Sequence, residues 1–99
     1  MHQIIYRKQA QLDLQKIREY VSAYSTKNED VAKITETVRN LEQFPLMGNS
    51  LAQKINRDTM YRYLICDKKY IVIYRVETNA VHIIRVFDGR QDYLRLIFE

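Results

Sequence analysis

The sequence predicts an α+β fold in which a two-helix hairpin packs on a small antiparallel sheet. Three observations predict it. Apolar residues recur at helical spacing through the first half of the chain, and the second half contains three short β-rich runs separated by polar breaks. The only proline, Pro45, lies with Gly48 between the two halves. With 99 residues, of which 46% are apolar, we expect a single domain over residues 1–99.

The first half predicts one short strand and two helices. A β-prone run at residues 2–7 comes first, and the apolar residues after Lys8 then step by four and three, as on one face of a helix. These residues are Ala10, Leu14, Ile17, Val21 and Tyr24. Thr26 and Glu29 fit a capping box, which predicts that a second helix begins there. The same apolar spacing returns at Val31, Ile34, Val38 and Leu41. So short a joint between two amphipathic helices indicates an antiparallel hairpin.

The second half predicts three strands, near residues 60–66, 69–77 and 80–87. The intervening dipeptides 67–68 and 78–79 suit hairpin turns. Residues 51–59 fit either a short strand or a loop, so the predicted order of the main elements is β-α-α-β-β-β. Both faces of the middle strand are largely apolar, and we expect the hairpin to cover one and the C-terminal tail or a partner to cover the other.

Composition excludes several classes of protein. Cys66 is the only cysteine, so no internal disulfide can form, and the two histidines are far apart in the sequence. We therefore expect no metal and no cofactor. No apolar run is long enough to span a membrane and no signal peptide is recognisable, which predicts a cytoplasmic protein without a membrane partner. The net charge of +4, mostly from the second half, suits nucleic acid or an acidic protein as partner.

Five short stretches of the chain carry a family resemblance. They are Leu12-Asp13-Leu14-x-x-Ile17-x-x-Tyr20, Leu41-Glu-Gln-Phe-Pro45-x-x-Gly48, Tyr70-Ile-Val-Ile-Tyr74-Arg75-Val76, Ile83-Ile-Arg85-Val86 and Gly89-Arg90-x-Asp92-Tyr93. In this order, and on a chain of this length, they resemble the RelE/ParE superfamily of bacterial toxins. The first two stretches resemble the ParE side of that superfamily.

The resemblance implies the toxin of a type II toxin–antitoxin pair, held in a hetero-oligomer by a cognate antitoxin encoded beside it. RelE-like members cleave mRNA in the ribosome, whereas ParE-like members poison DNA gyrase without chemistry of their own. Ribosome-associated mRNA cleavage is our leading hypothesis and gyrase poisoning the alternative. A small RNA-binding module without toxicity would also suit the charge. In either toxin, the sheet and the hairpin should offer a groove for an antitoxin segment that folds on binding, and acidic residues there would suit the basic toxin.

The candidate site residues are mostly cations of the second half. RNA cleavage of this kind needs no metal, because guanidinium groups stabilise the charged phosphate and a tyrosine can move a proton. The resemblance indicates Arg62, Arg90 and Tyr93 as catalytic residues. Lys54, Arg57 and Arg85 are the candidate substrate-binding cations.

Two positions depart from the ribonuclease pattern. Ile71 stands where an RNA-cleaving relative is expected to carry an arginine, and Leu64 stands at a second basic position. The loss at Ile71 removes a phosphate-stabilising group and favours the gyrase alternative. Arginines on strands also have an ordinary structural role as cross-strand partners or edge-protecting charges, and that interpretation stays open for Arg62 and Arg85.

Overall fold

The structure is a computed structural model that describes residues 1–24, 29–55 and 59–89. Its elements in chain order are β1 (Gln3–Tyr6), α1 (Lys8–Tyr24), α2 (Glu29–Arg39), a 3₁₀ turn (Asn40–Glu42), β2 (Asn49–Ser50), α3 (Leu51–Ile55), β3 (Arg62–Cys66), β4 (Tyr70–Val76) and β5 (Ala80–Asp88). The predicted α+β class and the order of the main elements are confirmed. The ambiguous stretch after Gly48 forms the short elements β2 and α3. Part of the predicted capping box and the C-terminal tail lie outside the described residues.

The sheet has five strands in the order β1-β5-β4-β3-β2. The pairs β2–β3, β3–β4 and β4–β5 are antiparallel, in agreement with the predicted antiparallel sheet. β1 is parallel to β5 and places Gln3 opposite Ala80 and Tyr6 opposite Ile83. The sheet is therefore mixed at this edge, a detail that the sequence did not predict. A four-residue strand at the start of a chain carries no pattern that indicates which distant strand it will join.

One sheet face and the helix hairpin enclose the main core. The helical contribution comes from Ala10, Ile34, Val38 and Leu41, all fully buried. The strand contribution includes Leu64, Val72, Tyr74, Val81, Ile83 and Val86. The four helical residues are among those that the three-and-four spacing predicted. Leu14 and Ile17 pack against the core and are partly buried, and the predicted core positions Val21 and Tyr24 lie outside the residues whose side chains are described. Burial of each large aliphatic side chain stabilises the fold by roughly 1.5–3 kcal/mol, so this interface is the main source of stability.

A bulge in β5 changes which residues face the core. Ile73 of β4 lies opposite Arg85, but the next residue, Tyr74, lies opposite Ile83, so Ile84 has no partner across the pair. One extra residue reverses the alternation of side chains along a strand. As a result Ile83 and Val86 both belong to the core, and Arg85 is directed to the opposite face.

Candidate functional site

The face of the sheet opposite the main core is called the distal face here. Strand alternation and cross-strand register assign to it Tyr63, Ile65, Ile71, Ile73, Arg75, His82, Arg85 and Phe87. Ile73 and Phe87 are fully buried although neither belongs to the main core, so this face is covered as well as apolar at its centre. That agrees with the expectation that both faces of β4 are covered; the predicted covering by the tail lies outside the described residues.

Lys54 lies at the distal face. Its Nζ is 4.8 Å from the centroid of the Tyr63 ring, within the range of a cation–π contact. The lysine side chain is exposed and belongs to the last turn of α3. The candidate substrate-binding residue Lys54 is therefore supported by an aromatic ring and accessible to solvent.

A polar cluster lies at the end of β4 and on the neighbouring part of β5. The Glu77 carboxylate accepts a hydrogen bond from Arg75 Nη2 at 3.0 Å and lies 3.1 Å from His82 Nε2. Arg75 and His82 are directly opposite each other across the two strands. One carboxylate thus lies between two basic groups. Arg75 Nε and His82 Nδ1 are buried and have no hydrogen-bond partner among the residues that the structure describes.

Arg85 is engaged by a carboxylate of the first helix. Its Nε and Nη2 donate to the two oxygens of Asp13 at 2.8 and 3.1 Å, and its guanidinium lies 4.5 Å from the centroid of the Phe87 ring. Asp13 is 7% exposed and also accepts the backbone N–H of Val86 at 2.9 Å. These contacts give Arg85 a structural role as a cross-link between α1 and β5. Its role as a substrate contact stays a prediction.

Arg62 points to a different part of the molecule. It lies opposite Tyr74 in the register, which places it on the core side of the sheet rather than on the distal face. Its Nη2 donates to the backbone carbonyls of Leu46 and Gly48, at 3.1 and 2.6 Å. Arg62 therefore does not join Lys54 and Arg85 in one site. The catalytic role of Arg62 stays a prediction, and so do the substrate-binding roles of Lys54 and Arg85.

The loop that Arg62 contacts is also held by a tyrosine. The N–H of Gly48 donates to the hydroxyl of Tyr74 at 3.0 Å. A Cβ atom at position 48 would lie 2.5 Å from both the Tyr63 carbonyl oxygen and the Tyr74 hydroxyl, so only glycine fits there. Tyr74 belongs to the largely apolar middle strand, whose pattern predicts that its side chain is covered but does not predict this hydrogen bond. The Phe-Pro-x-x-Gly pattern was the available signal.

The three remaining candidate residues lie outside the described residues, whereas the structure does show the surroundings of Ile71. Arg57, Arg90 and Tyr93 are not among the described residues. Ile71 lies opposite Ile65 and Phe87 and is half-buried. The position where an RNA-cleaving relative would carry an arginine is thus part of an apolar strip.

An open cleft of ≈ 830 Å³ lies along α1, α2 and β1, and its walls include Tyr6, Leu14 and Thr35. A smaller cleft of ≈ 170 Å³ shares Tyr6 and Thr35 and extends to Arg39. Burial, followed by the charge of Cys66, raises the pKa of Tyr6 to about 12, so its phenol is a neutral donor at physiological pH. The combined cleft offers apolar walls with a few polar groups, which suits a peptide segment.

The fold described above is of the α+β class expected for a small RelE/ParE-type toxin. A family model for the ParE toxin of the type II toxin–antitoxin system parDE matches residues 4–93, and the chain belongs to this family. A solved structure described as the chromosomal ParDE toxin–antitoxin system from P. aeruginosa has a similar fold. Its TM-score is 0.74 at 20% identity, over 89% of this chain and 96% of that one. Among curated proteins no sequence gives a significant match.

The described residues include neither a metal-binding cluster nor a membrane-spanning helix. No group of three or more His, Cys, Asp or Glu side chains could hold a metal ion within residues 1–24, 29–55 and 59–89. Over the same ranges no helix is long and apolar enough to cross a membrane. The expected toxin class is confirmed, and the family match fits the gyrase alternative better than the leading hypothesis of mRNA cleavage.

Proposed function

We propose that this ParE-family toxin inhibits growth by binding and poisoning DNA gyrase in the cytoplasm, without catalysing a reaction itself. We also propose that a cognate antitoxin from the same operon neutralises it. The observation that carries the proposal is the match of the ParE family model to residues 4–93, because ParE-like rather than RelE-like toxins are the gyrase poisons of the superfamily. This replaces mRNA cleavage as the leading hypothesis.

The contacts that Arg62 and Arg85 already make support a mechanism in which the toxin catalyses no reaction. A ribonuclease of the RelE type needs guanidinium groups free to bind a phosphate whose negative charge grows in the transition state. Arg85 is paired with the buried carboxylate of Asp13, and Arg62 is bonded to two backbone carbonyls. Their register positions lie on opposite faces of the sheet. To bind a phosphate with the same donor atoms, either arginine would have to give up these contacts.

The cleft along α1, α2 and β1 is the surface that we propose for the antitoxin. Tyr6 and Thr35 line both of its parts, and Leu14 adds an apolar wall. A helical or extended segment that folds on binding could bury apolar side chains in this cleft. The net charge of the toxin would favour a segment with acidic residues.

The proposed target can be tested by brief induction of the chain in cells. We expect thymidine incorporation and DNA supercoiling to decrease before amino-acid incorporation does. An SOS response should follow, and the mRNA should remain intact. Purified toxin should inhibit gyrase supercoiling in vitro, and added antitoxin should reverse the inhibition. Immediate loss of amino-acid incorporation with cut mRNA would contradict the proposal and restore the enzyme hypothesis. In that case Arg90→Ala should abolish cutting while antitoxin binding is preserved.

The antitoxin surface can be tested with two adjacent substitutions on α2. Thr35→Trp fills the cleft with a bulky neutral ring, whereas Glu36→Trp places the same residue on the exposed side of the helix. We expect Thr35→Trp to weaken the toxin–antitoxin complex at least about tenfold, and Glu36→Trp to leave it nearly unchanged. Titration calorimetry with the purified antitoxin measures both. Equal affinities for the two variants would show that the antitoxin binds elsewhere.

A further inference from the structure

The loop formed by residues 43–48, called the Pro45 loop below, exposes apolar side chains at its tip. Phe44 is 63% exposed, Leu46 64% and Met47 47%. Scattered apolar residues on a surface need no explanation, but three within four positions of one loop form a patch. Nothing in the function proposed so far uses this patch.

The backbone of the Pro45 loop is held rigidly in spite of its exposed tip. Phe44 N–H donates to the Asn40 carbonyl of the preceding 3₁₀ turn at 2.9 Å, and within the loop Met47 N–H donates to the Phe44 carbonyl at 3.1 Å. At its end, Gly48 is bonded to the Tyr74 hydroxyl, and Arg62 donates to two carbonyls of the loop. Side chains on a fixed backbone lose little entropy on binding, so an exposed apolar tip of this kind is pre-organised for a partner.

The shape of the Pro45 loop and the charge at its base indicate the kind of partner. Exposed apolar side chains on a fixed backbone suit an apolar pocket that already exists on a folded protein, whereas a segment that folds on binding needs a groove. Arg62 contributes a positive charge behind the tip, and no carboxylate pairs with it among the residues described. Acidic side chains around the pocket would complement this charge.

We propose that the Pro45 loop is the anchor with which the toxin enters an acid-rimmed apolar pocket on its folded target, separately from the cleft that takes the antitoxin. The inference rests on the proposed function, in which that target is gyrase. Phe44 and Leu46 supply the buried contacts and Met47 the adaptable edge. Arg62 and Tyr74 are positioning residues, because they hold the loop from behind.

The test uses full-length chains with Phe44→Ala and Leu46→Ala, compared with Met60→Ala as the control. Met60 is 68% exposed and lies next to Tyr61, whose carbonyl bonds to α3, not to the Pro45 loop. We expect each loop variant to weaken toxin–gyrase binding at least about tenfold, measured by surface plasmon resonance. Growth inhibition should fall in parallel. Antitoxin affinity and the thermal unfolding midpoint should match those of the wild type.

Other results would contradict either the inference or the proposed function. If both loop variants inhibit growth as strongly as the wild type, the inference is overturned. It is also overturned if the loop variants stay toxic but no longer bind the antitoxin, because the loop would then contact the antitoxin. If the wild type arrests growth but does not bind gyrase, the proposed function fails. The loop variants would still test the inference through growth arrest with antitoxin binding retained.

Discussion

The carboxylate of Asp13 receives the guanidinium of Arg85 through two hydrogen bonds, of 2.8 and 3.1 Å. The same carboxylate accepts the N–H of Val86 at 2.9 Å. β1 ends at Tyr6, opposite Ile83, so among the described residues no strand lies beside this edge of β5 beyond that point. Asp13 supplies the acceptor that a longer β1 would have supplied, and Arg85 neutralises the charge that this places inside the fold.

We expect Asp13→Ala to lower the free energy of unfolding by about 3–5 kcal/mol, because it leaves a guanidinium without its partner and the Val86 N–H without an acceptor. Urea unfolding followed by circular dichroism measures the change. Asp13→Asn retains an oxygen for the Val86 N–H, so its cost should be smaller than that of the alanine variant.

The control is Lys33→Ala, which removes the surface pair between Lys33 and Asp67. The two atoms of that pair are 3.5 Å apart and the side chains are 51% and 35% exposed. Its loss should cost at most about 1 kcal/mol. Equal costs for Lys33→Ala and Asp13→Ala would mean that the buried pair adds nothing beyond a surface contact.

The core could be predicted from the sequence, whereas this ion pair could not. Ala10, Ile34 and Val38 follow a period that depends only on helix geometry, so their burial can be predicted without knowing what covers them. Asp13 lies three residues after Ala10 and four before Ile17, so the period places it on the buried side of the helix, but it does not indicate which cation the carboxylate meets. Its partner Arg85 is 72 residues away, and contacts between such distant residues depend on the folded register.

The site was less predictable than the core for a related reason. Arg62 was recognised as a strand arginine, but which face it occupies depends on the register of β3 against β4. A shift of one residue moves a side chain to the other face. The register of β5 in turn depends on a bulge at Ile84 that no local pattern indicates. The sequence therefore identified the cations, and only the structure shows that two of them are engaged by other groups.

We expect Tyr74→Phe to destabilise the protein by roughly 1–3 kcal/mol, because the buried N–H of Gly48 loses its acceptor while the aromatic ring stays. Urea unfolding measures the cost. Tyr63→Phe is the control, since it keeps the ring beneath Lys54 and no hydrogen bond of the Tyr63 hydroxyl occurs among the described residues. A Tyr74→Phe variant as stable as Tyr63→Phe would show that the hydroxyl does not hold the loop.

Gly48→Ala should destabilise the protein more than Tyr74→Phe does. Its new Cβ would lie 2.5 Å from the backbone oxygen of Tyr63, and a backbone atom within a sheet cannot move aside easily. We expect a lower unfolding midpoint together with a displaced Pro45 loop. A midpoint within experimental error of the wild type would contradict the close approach seen here.

Stability should decrease in alkaline solution between about pH 9 and pH 12. Burial raises the pKa of Cys66 from 9.0 to about 11 and that of Tyr6 from 10.0 to about 12. Burial, with the hydrogen bond and charge of Asp30, raises the pKa of Tyr70 as well. Since the folded state holds these protons more tightly, the stabilisation is complete below the unfolded pKa values and is lost as pH rises through the folded ones.

Urea midpoints at pH 8, 10 and 11 test this pH dependence. Tyr70→Phe serves as a control, because a phenylalanine cannot titrate and the decline above pH 10 should become shallower. A wild-type midpoint that rises with pH over this interval would contradict the sign of the shifts.

The thiol of Cys66 should react slowly while the protein is folded. Its side chain is fully buried, and the shift of its pKa from 9.0 to about 11 lowers the thiolate fraction at pH 8 by about a hundredfold. Reaction with a disulfide reagent should therefore require opening of the fold, and 6 M urea should accelerate it by at least about that factor. A Cys66→Ala chain with Glu36→Cys on the exposed side of α2 provides the reference for an accessible thiol. Equal rates for Cys66 and this reference in the absence of urea would mean that the sheet opens beside α2 far more readily than its packing indicates.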